Sequence, residues 1–115
     1  MKACILDYKS GNILSIKNFC KKIGMDVKVS NEKNLINSCD ILVLPGVGTF
    51  PKVMNYIKRK NLSKQILKRY NNNKLILGIC IGMQIFCEHS YEQKKTKGLG
   101  VFKSVAKKLT KIEVT

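Results

Sequence analysis

The sequence predicts an α/β fold, a three-layer sandwich on a mostly parallel sheet. Three observations predict it. Short continuous apolar runs recur along the 115 residues. Segments with apolar residues three and four apart separate them, as on one face of a helix. Each apolar run ends in a turn signal. Strands apolar on both faces belong to parallel sheets covered by helices on both sides.

Taken in order, Lys2–Asp7 is a buried strand. Asn12–Ile23 places Ile13, Ile16, Phe19, Cys20 and Ile23 on one helical face, closed by Gly24 just past its end. Met25–Ser30 alternates as a strand. Glu32–Cys39 is a short helix that Ser30 or Asn31 can cap. Ile41–Leu44 is an apolar strand stopped by Pro45-Gly46. Lys52–Tyr70 is helical with a break near Asn61. Lys74–Ile79 is a fourth strand, and Ile81–Ser90 a helix starting directly after it. Beyond Lys97, Gly98–Val105 and Lys108–Val114 read as strands with no helix between them. The sequence stops within the alternating KIEVT, which suggests a truncated domain.

Composition narrows the function classes. Some 44% of residues are apolar, enough for one packed core, and the length suits one small domain. No apolar run approaches the roughly 20 residues that span a bilayer, and the start is too short and polar for a signal peptide. A cytoplasmic protein with no membrane partner is expected. The 22 basic and 7 acidic residues give +15. The lysines are scattered and only Arg59 and Arg69 are Arg, so the charge reads as a Lys-rich surface rather than a nucleic-acid site. Five cysteines without a CxxC pair, and a single His, point to reduced thiols and no metal.

The motif that carries chemistry is Gly78-Ile79-Cys80-Ile81-Gly82, G-x-C-x-G between an apolar strand and a helix. This is a nucleophile elbow with a thiol. A sharp strand-to-helix turn lifts Cys80 out of the sheet. Glycines two before and two after it remove side chains that would strike neighbouring backbone. The helix N-terminus favours a thiolate, and the Ile81 N–H is placed for an oxyanion. Cys4 and Cys20 read as core fillers. Gly46-Val47-Gly48, after the third strand, turns at the same carboxyl edge, where open α/β sheets bind ligands. It matches neither a dinucleotide fingerprint nor a phosphate loop.

PGVGTF and LGICIGMQIF, with DYKSGNILS near the start and SYEQ–KGLGVF after the elbow, resemble the family of glutaminase subunits of imidazole glycerol phosphate synthase. The resemblance runs from Met1 to about Lys108. It implies a class I, triad-type glutamine amidotransferase fold, flavodoxin-like, with its C-terminal part missing: residues 1–115 are the N-terminal part of a single domain. It implies no cofactor and glutamine as substrate. Cys80 would be the nucleophile, and Ile81 with Gly46, Val47 and Gly48 the oxyanion hole. Gln84 and Glu92 would hold substrate, and Asp7, Gly11 and Asn12 would face a (β/α)8-barrel cyclase/synthase subunit in a heterodimer. That assembly makes imidazole glycerol phosphate in histidine biosynthesis. The same motifs fit a paralogous subunit for an amidated cell-surface sugar, or a non-catalytic binding module. The family's H-x-E segment does not occur here. His89, nine residues along the expected helix from Cys80 and hence about 13 Å away along its axis, reads as an exposed helix-end residue. Residues 1–115 alone are expected to be inactive.

Overall fold

The computed structural model describes residues 1–9, 12–46, 48–91 and 95–106, the last two by their backbone. The first sheet contains β1 (Lys2–Leu6), β2 (Asp26–Ser30), β3 (Ile41–Leu44) and β4 (Leu75–Gly78), in the order β2-β1-β3-β4 and all parallel. Among the described residues five helices accompany the strands: α1 (Leu14–Lys22), α2 (Lys33–Ser38), α3 (Phe50–Arg59), α4 (Ser63–Asn71) and the single turn α5 (Ile81–Gln84).

Crossover handedness assigns the layers. The chain crosses the sheet one way from β1 to β2 and the other way from β2 to β3. Right-handed crossovers therefore put α1 on one face and α2, α3 and α4 on the other. Burial agrees. Cys4, Leu6, Leu42 and Leu44 form one core with Ile36, Phe50, Met54, Ile57, Leu62 and Ile66 of the α2–α4 layer. Ala3, Ile5 and Val43 point the opposite way and are buried on the side that α1 covers. Cys20, the buried residue of α1, stands outside the first cluster.

Local chemistry explains the boundaries. Gly24 at φ 90 ends α1, with its N–H on the Lys21 carbonyl. Pro51 presets the first turn of α3. Asn61 at φ 56 separates α3 from α4, as the sequence suggests. Before α2, Ser30 Oγ accepts the Glu32 N–H at 3.0 Å, while the Asn31 amide donates to the Tyr56 hydroxyl at 2.6 Å.

The helix expected over Ile81–Ser90 stops after one turn. Cys87–Ser90 is instead strand β5, between β6 (Thr96–Lys97, antiparallel) and β7 (Phe102–Ala106, parallel) in a second sheet. The Ile85 and Phe86 carbonyls, which a longer helix would use internally, accept the Leu99 and Phe102 N–H groups at 2.7 Å each. Long-range pairing thus overrides a helical period that Ile85 and Phe86 satisfy equally well as core residues. The strand expected over Gly98–Val105 begins at Phe102, because residues 98–100 are used to reach back to β5 and α5. The strand expected over Lys108–Val114 lies outside the described residues.

Arg69 of α4 is 1% exposed, and no carboxylate contacts it among the described residues. Its Nη1 donates to the Ile36 and Cys39 carbonyls at 3.1 and 2.8 Å, its Nη2 to Asp40 and Leu75 at 3.3 and 2.7 Å. One planar fork thereby ties α4 to the end of α2 and to the starts of β3 and β4. Arg69→Ala is expected to cost about 3 kcal/mol, read as a lowered urea midpoint, because one buried and three part-buried acceptors lose their donor. Arg69→Lys should recover little, since an ammonium cannot reach four carbonyls in one plane.

Alkaline pH should weaken the fold. Burial, then the neighbouring Cys39, pushes the Cys4 thiol from an ordinary 9.0 up to about 11. Burial raises the Tyr8 phenol also. The unfolded chain then loses protons that the folded chain keeps, so stability is full below about pH 9 and falls as pH rises towards 11. Urea midpoints at pH 8 and 10.5 check this; Cys4→Ala should flatten the slope.

Candidate functional site

Cys80 stands between β4 and α5, at the carboxyl edge of the first sheet, with φ 51 and ψ −111. A non-glycine residue held there stores strain of about 1–3 kcal/mol and persists only where its surroundings impose it. They do so through close backbone approach. The Ile79 N–H donates to the Leu44 carbonyl at 3.0 Å, joining the ends of β3 and β4. A Cβ on Gly82 would overlap that same carbonyl oxygen, and one on Gly78 would lie 2.8 Å from the Gly82 oxygen. Glycine at both positions lets the first turn of α5 sit on the strand ends. The Cys80 carbonyl accepts the Met83 and Gln84 N–H groups at 3.0 Å each. The thiol side chain is left exposed.

The loop after β3 meets the elbow. A Cβ on Gly46 would lie 2.9 Å from Cys80 Cβ and 2.7 Å from the Ile79 oxygen, so only glycine lets this backbone run against the thiol. Gly48 takes φ 86. Ile81 is the first residue of α5, and its N–H belongs to the open end of that turn.

Cys80, Pro45, Gly46 and Ile79 form one side of a cleft of about 330 Å³; Asn12, Ser15, Ile16 and Phe19 form the other. Ile16 and Phe19 correct the sequence reading. The stripe expected to be core is divided: Cys20 is buried, whereas Phe19 is 56% exposed and faces the cleft. Apolar spacing alone cannot tell a core face from a cleft wall. Asn12, expected at a partner surface, also borders the cleft. Its Oδ1 accepts the Leu14 N–H at 2.9 Å at the start of α1.

Asp7 follows β1 at the same edge. Its carboxylate accepts the Lys9 N–H at 2.8 Å and pairs with Lys9 Nζ at 3.1 Å. Gln84 ends α5 and is not among the residues lining the cleft. Val47, Gly11 and Glu92 lie outside the described residues. His89 is not on a helix: it is a half-buried residue of β5, in register with Lys97 and Val105, so a helical rise does not measure its separation from Cys80. Among the described residues, none lining the cleft is His, Asp or Glu. Among the described residues the arrangement presents an exposed thiol and backbone N–H groups, and no side chain lining the cleft transfers protons near neutral pH.

A family model described as a CobB/CobQ-like glutamine amidotransferase domain matches residues 4–112. Among curated proteins the chain is similar to "Imidazole glycerol phosphate synthase subunit HisH" of Prochlorococcus marinus, 38% identical over 109 residues, which cover 95% of this chain and 51% of that one. It is similar also to the protein of the same name from Lactococcus lactis, 40% identical over 102 residues, 89% of this chain and 50% of that one. The chain spans about half the length of the curated relatives it matches. Among solved structures, a putative peptidase E from Listeria monocytogenes matches with a TM-score of 0.75 at 16% identity, covering 89% of this chain and 63% of the other. A glutamine amidotransferase matches with 0.77 at 19%, covering 91% and 55%. These two likenesses concern the fold, and they agree with the expected three-layer α/β class.

The cysteine environments predict an order of alkylation. With iodoacetamide at pH 8, exposed Cys80 should label at least about tenfold faster than Cys4 or Cys20. Both of those are buried, and burial raises both thiols, Cys4 to about 11. Peptide mass spectrometry over time checks this, and equal rates at Cys80 and Cys4 would contradict the placement of the elbow.

Proposed function

The chain belongs to the CobB/CobQ-like glutamine amidotransferase family, and on that premise we propose that it is the nucleophile-bearing part of a glutaminase. The reading is carried by one observation: Cys80 stands exposed at a strained strand-to-helix turn, with the Gly46 backbone against it.

In the proposed reaction, Cys80 Sγ attacks the side-chain amide carbon of glutamine. The carbonyl oxygen gains charge as the C–S bond forms. The N–H of Ile81 and the backbone of Gly46, Val47 and Gly48 receive that charge. Collapse of the tetrahedral intermediate breaks the C–N bond, the nitrogen leaves as ammonia with a proton delivered to it, and water hydrolyses the glutamyl thioester to glutamate. Gln84 and Glu92 are proposed to hold the substrate. We assign residues 1–115 as the N-terminal part of one amidotransferase domain. The groups that move protons then come from polypeptide equivalent to the other half of the relatives.

The relatives named as synthase subunits support a specific destination for the ammonia. The proposed assembly is a cytoplasmic heterodimer with a (β/α)8-barrel cyclase subunit, making imidazole glycerol phosphate in histidine biosynthesis. Asp7, Gly11 and Asn12 would face that subunit. Asp7 and Asn12 stand at the carboxyl edge, and Asn12 borders the Cys80 cleft, so a partner there would meet ammonia close to its source. Among the described residues no helix is long and apolar enough to cross a membrane.

Two measurements test the reading. In the full-length protein with its partner, Cys80→Ala should lower glutamate release by at least about 10³-fold, while ammonia-dependent synthesis by the partner continues. Residues 1–115 alone should release no glutamate above background, because general acid–base help typically supplies about 10²–10⁴-fold. Wild-type release from the Cys80 variant would remove the thiol from the mechanism. Full turnover by residues 1–115 would place the proton-transfer group within them.

A further inference from the structure

Cys4 and Cys39 lie together toward the amino ends of the first sheet, the side away from Cys80. Cys4 sits in β1, 2% exposed, in the core that faces the α2–α4 layer. Cys39 directly follows α2 and is half-buried. The Cys4 thiol is hydrogen-bonded to that of Cys39. Cys39 Sγ donates in turn to the Ile36 carbonyl at 3.6 Å. Two sulfurs already in contact can bond after small side-chain rotations. Both residues also line a half-open cavity of about 210 Å³ beside the first residues of β1 and β2. Its charged lining is Lys2, Lys28 and Asp26, positive on balance. Among the described residues no group of three or more His, Cys, Asp or Glu could hold a metal ion, so the pair is a redox centre rather than a metal set. Burial raises the Cys4 thiol to about 11, and the charge of nearby Arg69 works the other way. Arg69 also donates to the Cys39 carbonyl at 2.8 Å. Packing explains Cys4 alone. It does not explain a second thiol against it, a cation beside both and a cavity that reaches them.

We propose that Cys4 and Cys39 form a thiol–disulfide exchange site for a small anionic disulfide of the glutathione class, closing as a Cys4–Cys39 bond. Cys39, the more accessible thiol, reacts first. Its proton passes to water and its sulfur attacks one sulfur of the incoming disulfide. That S–S bond breaks, and one glutathione leaves as a thiolate that takes up a proton. Lys2 and Lys28 attract the carboxylates of the disulfide. Cys4, deprotonated beside Arg69, then attacks the Cys39 sulfur and releases the second glutathione. Two protein thiols are oxidised and one disulfide is reduced to two thiols, so no other oxidant is needed. The bond tethers β1 to the turn entering β3, the strand that carries Gly46 to the elbow. The site does not rest on the glutaminase reading.

The test exposes the full-length protein to glutathione disulfide at pH 8 and maps its cysteines over time by non-reducing peptide mass spectrometry. A Cys39–glutathione adduct should appear first and give way to a linked Cys4–Cys39 peptide pair, about 2 Da lighter than the two reduced peptides together. Excess reduced glutathione should reverse the bond. Cys4→Ser, which keeps the side chain's size, should stop the sequence at the Cys39 adduct. Cys39→Ser should slow modification of Cys4 at least about tenfold. Lys2→Glu with Lys28→Glu should slow the first step at least about fivefold. Wild-type protein unfolded in urea supplies a comparison that needs no variant: there the Cys4–Cys39 pair should lose its lead over other pairings. Adducts confined to Cys80 or Cys87, with no Cys4–Cys39 bond, overturn the proposal. So does Cys4 modification at equal rates with and without Cys39, or a Cys4–Cys39 bond that forms only on unfolding. A first step indifferent to both lysine changes overturns the anionic disulfide as the reactant.

Discussion

The carbonyl of Leu44 is the fixed point on which the site depends. It closes the last β3–β4 rung by accepting the Ile79 N–H, and it lies where a Gly82 side chain would have to go. With that oxygen in place, the chain leaving β4 cannot continue straight. It turns within two residues, and the turn falls on Cys80. The strain at φ 51 is therefore imposed by two strands and a helical turn seated on each other, not by Cys80 itself. Its cost of about 1–3 kcal/mol is spread over a core that includes Leu42, Leu44, Ile81 and Ile85. The thiol gains a fixed direction, which its proposed role as a nucleophile needs before any proton moves.

The opposite edge of the sheet has its own anchor. Arg69 gathers four carbonyls around the starts of β3 and β4. The two strands are thus pinned at one end by a buried guanidinium and at the other by the Leu44 carbonyl. A charge buried without a carboxylate is costly to desolvate, and charge-assisted bonds to four carbonyls offset that cost. Because β3 delivers Gly46 and β4 delivers Cys80, holding the strands in register holds the Gly46 backbone against the elbow, where the oxyanion position is proposed. Packing far from the thiol in this way sets geometry at the thiol.

Much of this was legible in the sequence, and the gaps have physical causes. The four parallel strands announced themselves as apolar runs with turn signals. The elbow was readable because its glycines answer a steric demand that no other residue meets. Three features were hidden. Ile85 and Phe86 suit a helix and a packed strand approach alike, and the choice was made by Leu99 and Phe102 from a distance; β5 and the position of His89 were lost with it. Phe19 sits at core spacing but lines the cleft, since period reports a face and not what the face meets. Arg69 looked like one basic residue among many, because its acceptors are backbone carbonyls, which sequence does not distinguish.

The division of labour in the proposed reaction follows from which strands the described residues contain. A thiol on an elbow and a glycine turn beside it are built from β3 and β4, strands that are adjacent in space and consecutive in chain order, so the described residues assemble both. Moving protons at the same centre requires a side chain on the far side of the cleft or beside β4. There the described residues offer Asn12, Ser15 and Phe19 on one hand, and an unpaired apolar strand edge on the other. Neither supplies a titrating group. In the proposed reaction, attack by sulfur and departure of ammonia are thus separable demands on the fold: the backbone geometry at Cys80 answers the first, and the described lining of the cleft offers no titrating side chain for the second.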